Sequence, residues 1–168
     1  LNDYASAWRP PMSAPYFSRG HIVLATASVR NSQEVVARVE GQPLAHTAPF
    51  HLLVLSAGEN PLHLHWHGAG LARREGEISP PMFTSSSFAT SDVVAARLQH
   101  FYRCVARPEQ PELAELTAFH RQHDPAAGAF SVAMRRPDAA TRSHIRVSVV
   151  RRSVALSYER AHWSHEVR

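Results

Sequence analysis

Leu62-His63-Leu64-His65-Trp66-His67 alternates apolar and polar side chains without a break. A strand sends successive side chains to opposite faces, so the apolar groups share one face and the three imidazoles the other. Such alternation predicts a half-buried antiparallel strand, with Leu62, Leu64 and Trp66 on a core. The run Leu52-Leu53-Val54-Leu55 marks a partner strand over 50–56, and Ala57-Gly58-Glu59-Asn60 between the two reads as a hairpin turn. A third, weaker strand is predicted over 70–77.

Helical signals lie on either side of this hairpin. Ser18-Arg19-Gly20 opens the apolar run Ile22-Val23-Leu24-Ala25, with Ser18 as the N-cap. Arg19, beside Gly20 at this helix start, is expected to tie down the preceding loop. Asn31 followed by Glu34 has capping-box spacing, Val35, Val36 and Val39 give an apolar face, and Gly41 ends the segment. Residues 4–17 are proline-rich and read as a loop. Pro80-Pro81 interrupts the chain, and a short extended segment is predicted over 82–88. Thr90-Ser91-Asp92 then starts a helix with Val93, Val94, Arg97, Leu98, Phe101, Cys104 and Val105 at helical spacing, closed by Pro108. A further helix runs from Pro111 to about residue 123. Strands are predicted over 129–134, 144–150 and 154–158, the last two joined by a turn at Arg151-Arg152-Ser153. The order helices, strands, helices, strands is α+β, with antiparallel sheets and segregated helices. At 168 residues the chain is read as a single domain, 1–168.

All 18 basic residues are Arg, and the formal net charge is +4. The arginines are scattered, with doublets only at 73–74, 135–136 and 151–152, so the basic face interleaved with aromatics that nucleic acid requires is missing. No apolar run approaches the roughly 18 residues of a membrane span. The start, Leu1-Asn2-Asp3-Tyr4, has no signal-peptide pattern, and no Met opens it, so the chain is expected to begin inside a larger, cytoplasmic protein. Cys104 is the one cysteine, which excludes an internal disulfide; its apolar helical setting predicts a buried thiol.

Twelve histidines raise metal binding. On a strand His63, His65 and His67 point the same way, and imidazole suits zinc, copper or iron. This His-strand set is one candidate metal site; the simpler reading is a solvated strand face. His65-Trp66-His67-Gly68 also resembles a short copper-binding motif of multicopper oxidases, whose sites need further His clusters containing a Cys. Cys104 has no such neighbours. His120 and His123 lack the acidic partner of metal-hydrolase helices and are read as surface residues.

Four stretches, in order, resemble bacterial NRDE proteins, relatives of Transport and Golgi organisation proteins. They are Leu1-Asn2 with Ser18-Arg19-Gly20; Pro49-Phe50-His51-Leu52-Leu53-Val54; Pro81-Met82-Phe83-Thr84-Ser85-Ser86-Ser87-Phe88 with Val93-Val94-Ala95-Ala96-Arg97 and Phe101; and Met134-Arg135-Arg136-Pro137-Asp138-Ala139 through Thr141-Arg142-Ser143. The resemblance covers most of the chain through an ordered set of individually unspecific motifs. It implies part of an αββα sandwich of the N-terminal-nucleophile (Ntn) hydrolase type, namely the C-terminal two-thirds of such a domain.

The resemblance also implies a carbon–nitrogen amide hydrolase whose N-terminal Cys nucleophile and Asn-Arg-Asp-Glu motif lie upstream of Leu1. Leu1 cannot attack a carbonyl and Cys104 is mid-chain, so the chain is expected to be catalytically incomplete. Asn2 fits the position of a side-chain donor to the oxyanion. Ser85 or Ser86 fits a polar position beside the nucleophile, where a Ser departs from the related choloylglycine-hydrolase branch. Arg97 fits a helix Arg near the site. The structural readings are a loop cap for Asn2, a polar connection for residues 84–87 and an exposed charge for Arg97. A non-enzymatic alternative is a protein that handles a small hydrophobic ligand such as haem or lipid. The expected partners are an amide substrate or small ligand, with a missing N-terminal segment or a homo-oligomer covering the open sheets; no pattern demands a cofactor.

Overall fold

The computed structural model describes residues 1–4, 8–9, 15–56, 58–76, 82–150 and 153–161. Two compact units emerge, Leu1–Ser91 and Asp92–Arg168. The Pro80-Pro81 break, the Arg151-Arg152 turn, Ala57 and much of the proline-rich loop lie outside the described residues.

In the first unit the helices α1 (Arg19–Thr26) and α2 (Ser32–Glu40) precede three strands, β1 (Phe50–Val54), β2 (Leu62–Trp66) and β3 (Leu71–Glu75). The strands form one antiparallel sheet in the order β1-β2-β3. Both helices start where side-chain capping predicts. Ser18 Oγ accepts from Gly20 N at 3.3 Å, and Asn31 Oδ1 accepts from Glu34 N at 2.9 Å. Glu34 reaches back one residue beyond the cap, accepting from Arg30 N at 3.1 Å.

The β1–β2 register places Phe50, Leu52 and Val54 opposite Trp66, Leu64 and Leu62. Paired residues share a face. This face packs on Ile22, Val35, Val36 and Val39 of the two helices, which together form the core of the unit. Trp66 donates its indole N–H to Thr47 O at 2.9 Å, satisfying the one polar atom it brings inside. Gly68 takes φ +95°, and a Cβ there would lie 2.8 Å from the Trp8 ring, so both backbone and space require glycine.

In the second unit α3 (Thr90–Cys104, beginning at the end of the first unit) and α4 (Leu113–Arg121) pack through Phe101 and Phe119, edge to face at 5.3 Å. Val93, Arg97 and Phe101 make the buried stripe of α3, which the buried Val105 continues just past the helix end. Cys104 is exposed, contrary to the expected buried thiol. It closes the helix, where Val105 takes over the packing and Sγ rests 3.7 Å from His100 Nδ1. A glutamate pair, Glu112 and Glu115, caps α4, so the helix starts two residues after Pro111. The strand expected over 129–134 is absent there. Gly128–Phe130 forms a 3-10 turn, and Arg97 donates to Ala129 O at 2.6 Å. Gly128 at φ +53° breaks the extended run. A two-residue ladder, β4 (Arg135–Arg136) with β5 (Ala139–Ala140), precedes the long hairpin of β6 (Ser143–Val150) and β7 (Ser153–Arg160). The chain is thus α+β with antiparallel sheets, and among the described residues no helix is long and apolar enough to cross a membrane.

One face of the β6–β7 hairpin carries Ile145, Val147 and Val149 opposite Tyr158, Leu156 and Val154. All six are exposed. A contiguous apolar face of this kind drives association. Analytical ultracentrifugation is expected to show concentration-dependent self-association of the chain. The double variant V147T/L156T, which keeps strand propensity while removing apolar surface, is expected to shift it toward monomer. A wild-type chain that stays monomeric across the concentration series contradicts this.

Candidate functional site

The face of the first unit's sheet opposite the core is decided by the same alternation. His51 stands opposite His65, and Leu53 opposite His63. Three imidazoles therefore crowd one patch. His51 and His65 stack with ring centroids 4.1 Å apart, and His51 Nδ1 lies 3.0 Å from His63 Nε2. Phe83 forms an apolar wall, 5.6 Å from His51 and 5.0 Å from His63 between centroids.

The fourth member comes from the start of the chain. Residues 1–3 lie antiparallel along β1: Asn2 bridges Phe50, His51 N donates to Leu1 O at 2.9 Å, and Asp3 N donates to Pro49 O at 3.1 Å. Asn2 shares a face with Phe50, so its neighbour Asp3 turns to the histidine face. There the buried Asp3 carboxylate meets His65, with Oδ2 to Nε2 at 2.8 Å. Asp3, His51 and His65 each offer a donor atom, and the three atoms lie within 4.8 Å of one another.

The electrostatics keep part of this cluster neutral. Burial, then the neighbouring His65, lowers the pKa of His51 from 6.5 to about 4, with the Asp3 carboxylate opposing the shift. His63 and the α-amine of Leu1 lower it further. The His63 pKa is lowered as well, by burial first and then by His65 and Arg74.

The residues singled out in the sequence fall in different places. His63 and His65 belong to the cluster. His67 lies just past the end of β2 and is exposed, its ring 5.9 Å from that of His65. Asn2 stands at the sheet edge and donates from Nδ2 to Tyr4 Oη at 3.1 Å. Ser85 is half-buried before α3, and the buried Ser86 hydroxyl donates to Phe88 O at 2.6 Å and accepts from Phe88 N at 3.1 Å, closing a local turn. Arg97 lies in the second unit, buried rather than an exposed charge, and burial lowers its pKa. Arg19 donates to Pro49 O at 3.1 Å, so it ties α1 to the start of β1. Asp3 and His51 were not singled out in the sequence. His51 carries a signal, since its alternation with Leu52 mirrors that of β2. Asp3 carries none, because three residues are too short for a periodic pattern.

The second unit holds a cavity of about 470 Å³ between α4 and the polar side of the β6–β7 hairpin, lined among others by Leu113, Leu116, His120, Val132, His144 and Arg146. No protein-family model, curated protein or solved structure matches the chain.

His51 and His63 also give the fold a pH dependence. An unfolded chain takes up protons near pH 6.5, whereas folded His51 resists until about 4, so acidification favours unfolding. Their contribution is complete above the unfolded value and is lost as pH falls toward 4. Denaturant midpoints are expected to drop between pH 7 and pH 4.5, and His51→Gln is expected to flatten that drop. Equal slopes for wild type and variant contradict the assignment.

Proposed function

We propose that the chain is part of an NRDE-like, Ntn-type amide hydrolase, in which it carries supporting groups and not the nucleophile. One observation supports this above others. The first two stretches of the resemblance, far apart in sequence, close on one point: Asn2 bridges Phe50, while Asp3 N and Arg19 both donate to Pro49 O. The α+β architecture with antiparallel sheets fits the same lineage. In this reading the Asn2 amide is a donor to the tetrahedral oxyanion. Its present acceptor, Tyr4 Oη, is exchanged for the oxyanion when substrate binds. Ser85 and Ser86 are the remaining members of the supporting set within the first unit. The nucleophile is a Cys whose own α-amine serves as base, encoded upstream of Leu1.

The coding sequence before Leu1 is expected to begin Met-Cys. The protein it encodes is expected to cleave amide probes, with Asn2→Ala lowering kcat by about 100-fold, the usual cost of one oxyanion donor. A mature start without Cys removes the hydrolase reading.

The cavity in the second unit favours a second reading, a carrier for a small amphipathic ligand such as haem or a lipid. Its volume of about 470 Å³ suits a small molecule, and its lining pairs Leu113, Leu116 and Val132 with His120, His144 and Arg146. Titration with haem and with a long-chain fatty acid is expected to show saturable binding that Leu116→Glu weakens. Unsaturable uptake, or uptake indifferent to Leu116→Glu, contradicts it.

A further inference from the structure

We propose that the histidine face of the β1–β2 sheet binds one divalent first-row transition ion through Asp3, His51 and His65, with His63 orienting His51. Two imidazoles and one carboxylate are the three-protein-ligand set of open zinc and iron(II) sites, which leave remaining positions to water or substrate. The spacing of the donors fits. With metal–ligand bonds of about 2.0–2.1 Å, neighbouring ligand atoms stand about 2.9–3.4 Å apart. His65 Nε2 and Asp3 Oδ2 are already 2.8 Å apart, and all three donors lie within 4.8 Å.

The rearrangement that binding needs is small. His51 and His65 are stacked, with an interplanar angle of 21°, so the ring planes that hold their lone pairs are nearly parallel. Rotation of His65 about χ2, a soft torsion for imidazole, is the adjustment that binding requires, with His51 held by His63. His63 Nε2 lies 3.0 Å from Nδ1 of His51; in the bound state it accepts the Nδ1 proton and leaves Nε2 of His51 for the ion, the part an outer partner plays at metal sites. Phe83 and the 5% exposure of the Asp3 side chain limit water on one side of the cluster. His65, 30% exposed, leaves an entry path.

The cluster is not explained by the core. The core of the unit lies entirely on the other face, with Phe50, Leu62, Leu64 and Trp66. Asn2 also lies on that other face, so the ion site and the proposed amide chemistry involve different residues. Variants therefore separate the failure of one from the failure of the other.

The test is equilibrium dialysis of the purified chain with Zn²⁺, read by elemental analysis, and titration with Co²⁺, read by d–d absorption. One equivalent is expected. Asp3→Asn and His51→Ala are expected to abolish stoichiometric uptake, and His63→Ala to weaken it by about 10–100-fold. His67→Ala and His100→Ala are expected to leave it intact. His65→Cys keeps a ligating atom and is expected to retain Co²⁺ with a new thiolate-to-metal charge-transfer band, a signature that a folding defect cannot produce. The proposal is overturned by uptake below one equivalent in the wild-type chain. Equal uptake in Asp3→Asn and His51→Ala, loss of uptake in His67→Ala, or absence of the charge-transfer band also overturns it.

Discussion

The register between β1 and β2 governs both faces of the first unit's sheet. With Phe50 opposite Trp66 and Leu52 opposite Leu64, the apolar side chains meet α1 and α2 and the imidazoles are driven to the other side. A slip of β2 by one residue would put His63 and His65 into the core and Leu62, Leu64 and Trp66 into water. Each large apolar side chain loses about 1.5–3 kcal/mol of burial in such a slip, so the register is strongly held. The register that builds the core thus also gathers the imidazoles on the opposite face of the same sheet.

The segment 1–3 uses the free edge of β1. Its two flanking backbone hydrogen bonds, His51 N to Leu1 O and Asp3 N to Pro49 O, place Asn2 and Asp3 on opposite faces. Two adjacent residues thereby serve two different surroundings. Asn2 joins the Phe50 side, where Arg19 also anchors the start of α1 to Pro49 O. Asp3 joins the imidazoles and supplies the cluster's negative charge.

Periodicity and capping made much of the fold legible. The alternation in β2 marked the strand and its buried face, Asn31 and Glu34 marked the start of α2, and the helical spacing of Val93, Phe101 and Val105 marked the inner face of α3, though not the burial of Arg97 on it. Where tertiary context decides, the sequence was silent or misleading. Residues 129–134 have strand composition, yet Gly128 at φ +53° and the Arg97 bond to Ala129 O hold a 3-10 turn. Cys104 has the spacing of a core residue but sits on the last turn of its helix. Of the histidine cluster, His63 and His65 were visible through alternation; Asp3 was not, because only pairing with β1 brings it across from a position 62 residues away from His65.

The pairing of residues 1–3 with β1 underlies both the amide-hydrolase reading and the ion site. Heteronuclear NMR of the chain tests it most directly. The His51 and Asp3 amides are expected to be protected from hydrogen exchange, with a cross-strand NOE between the Asn2 and Phe50 α-protons. Fast exchange at both amides, with no such NOE, would show that the segment leaves the sheet edge and would contradict the pairing.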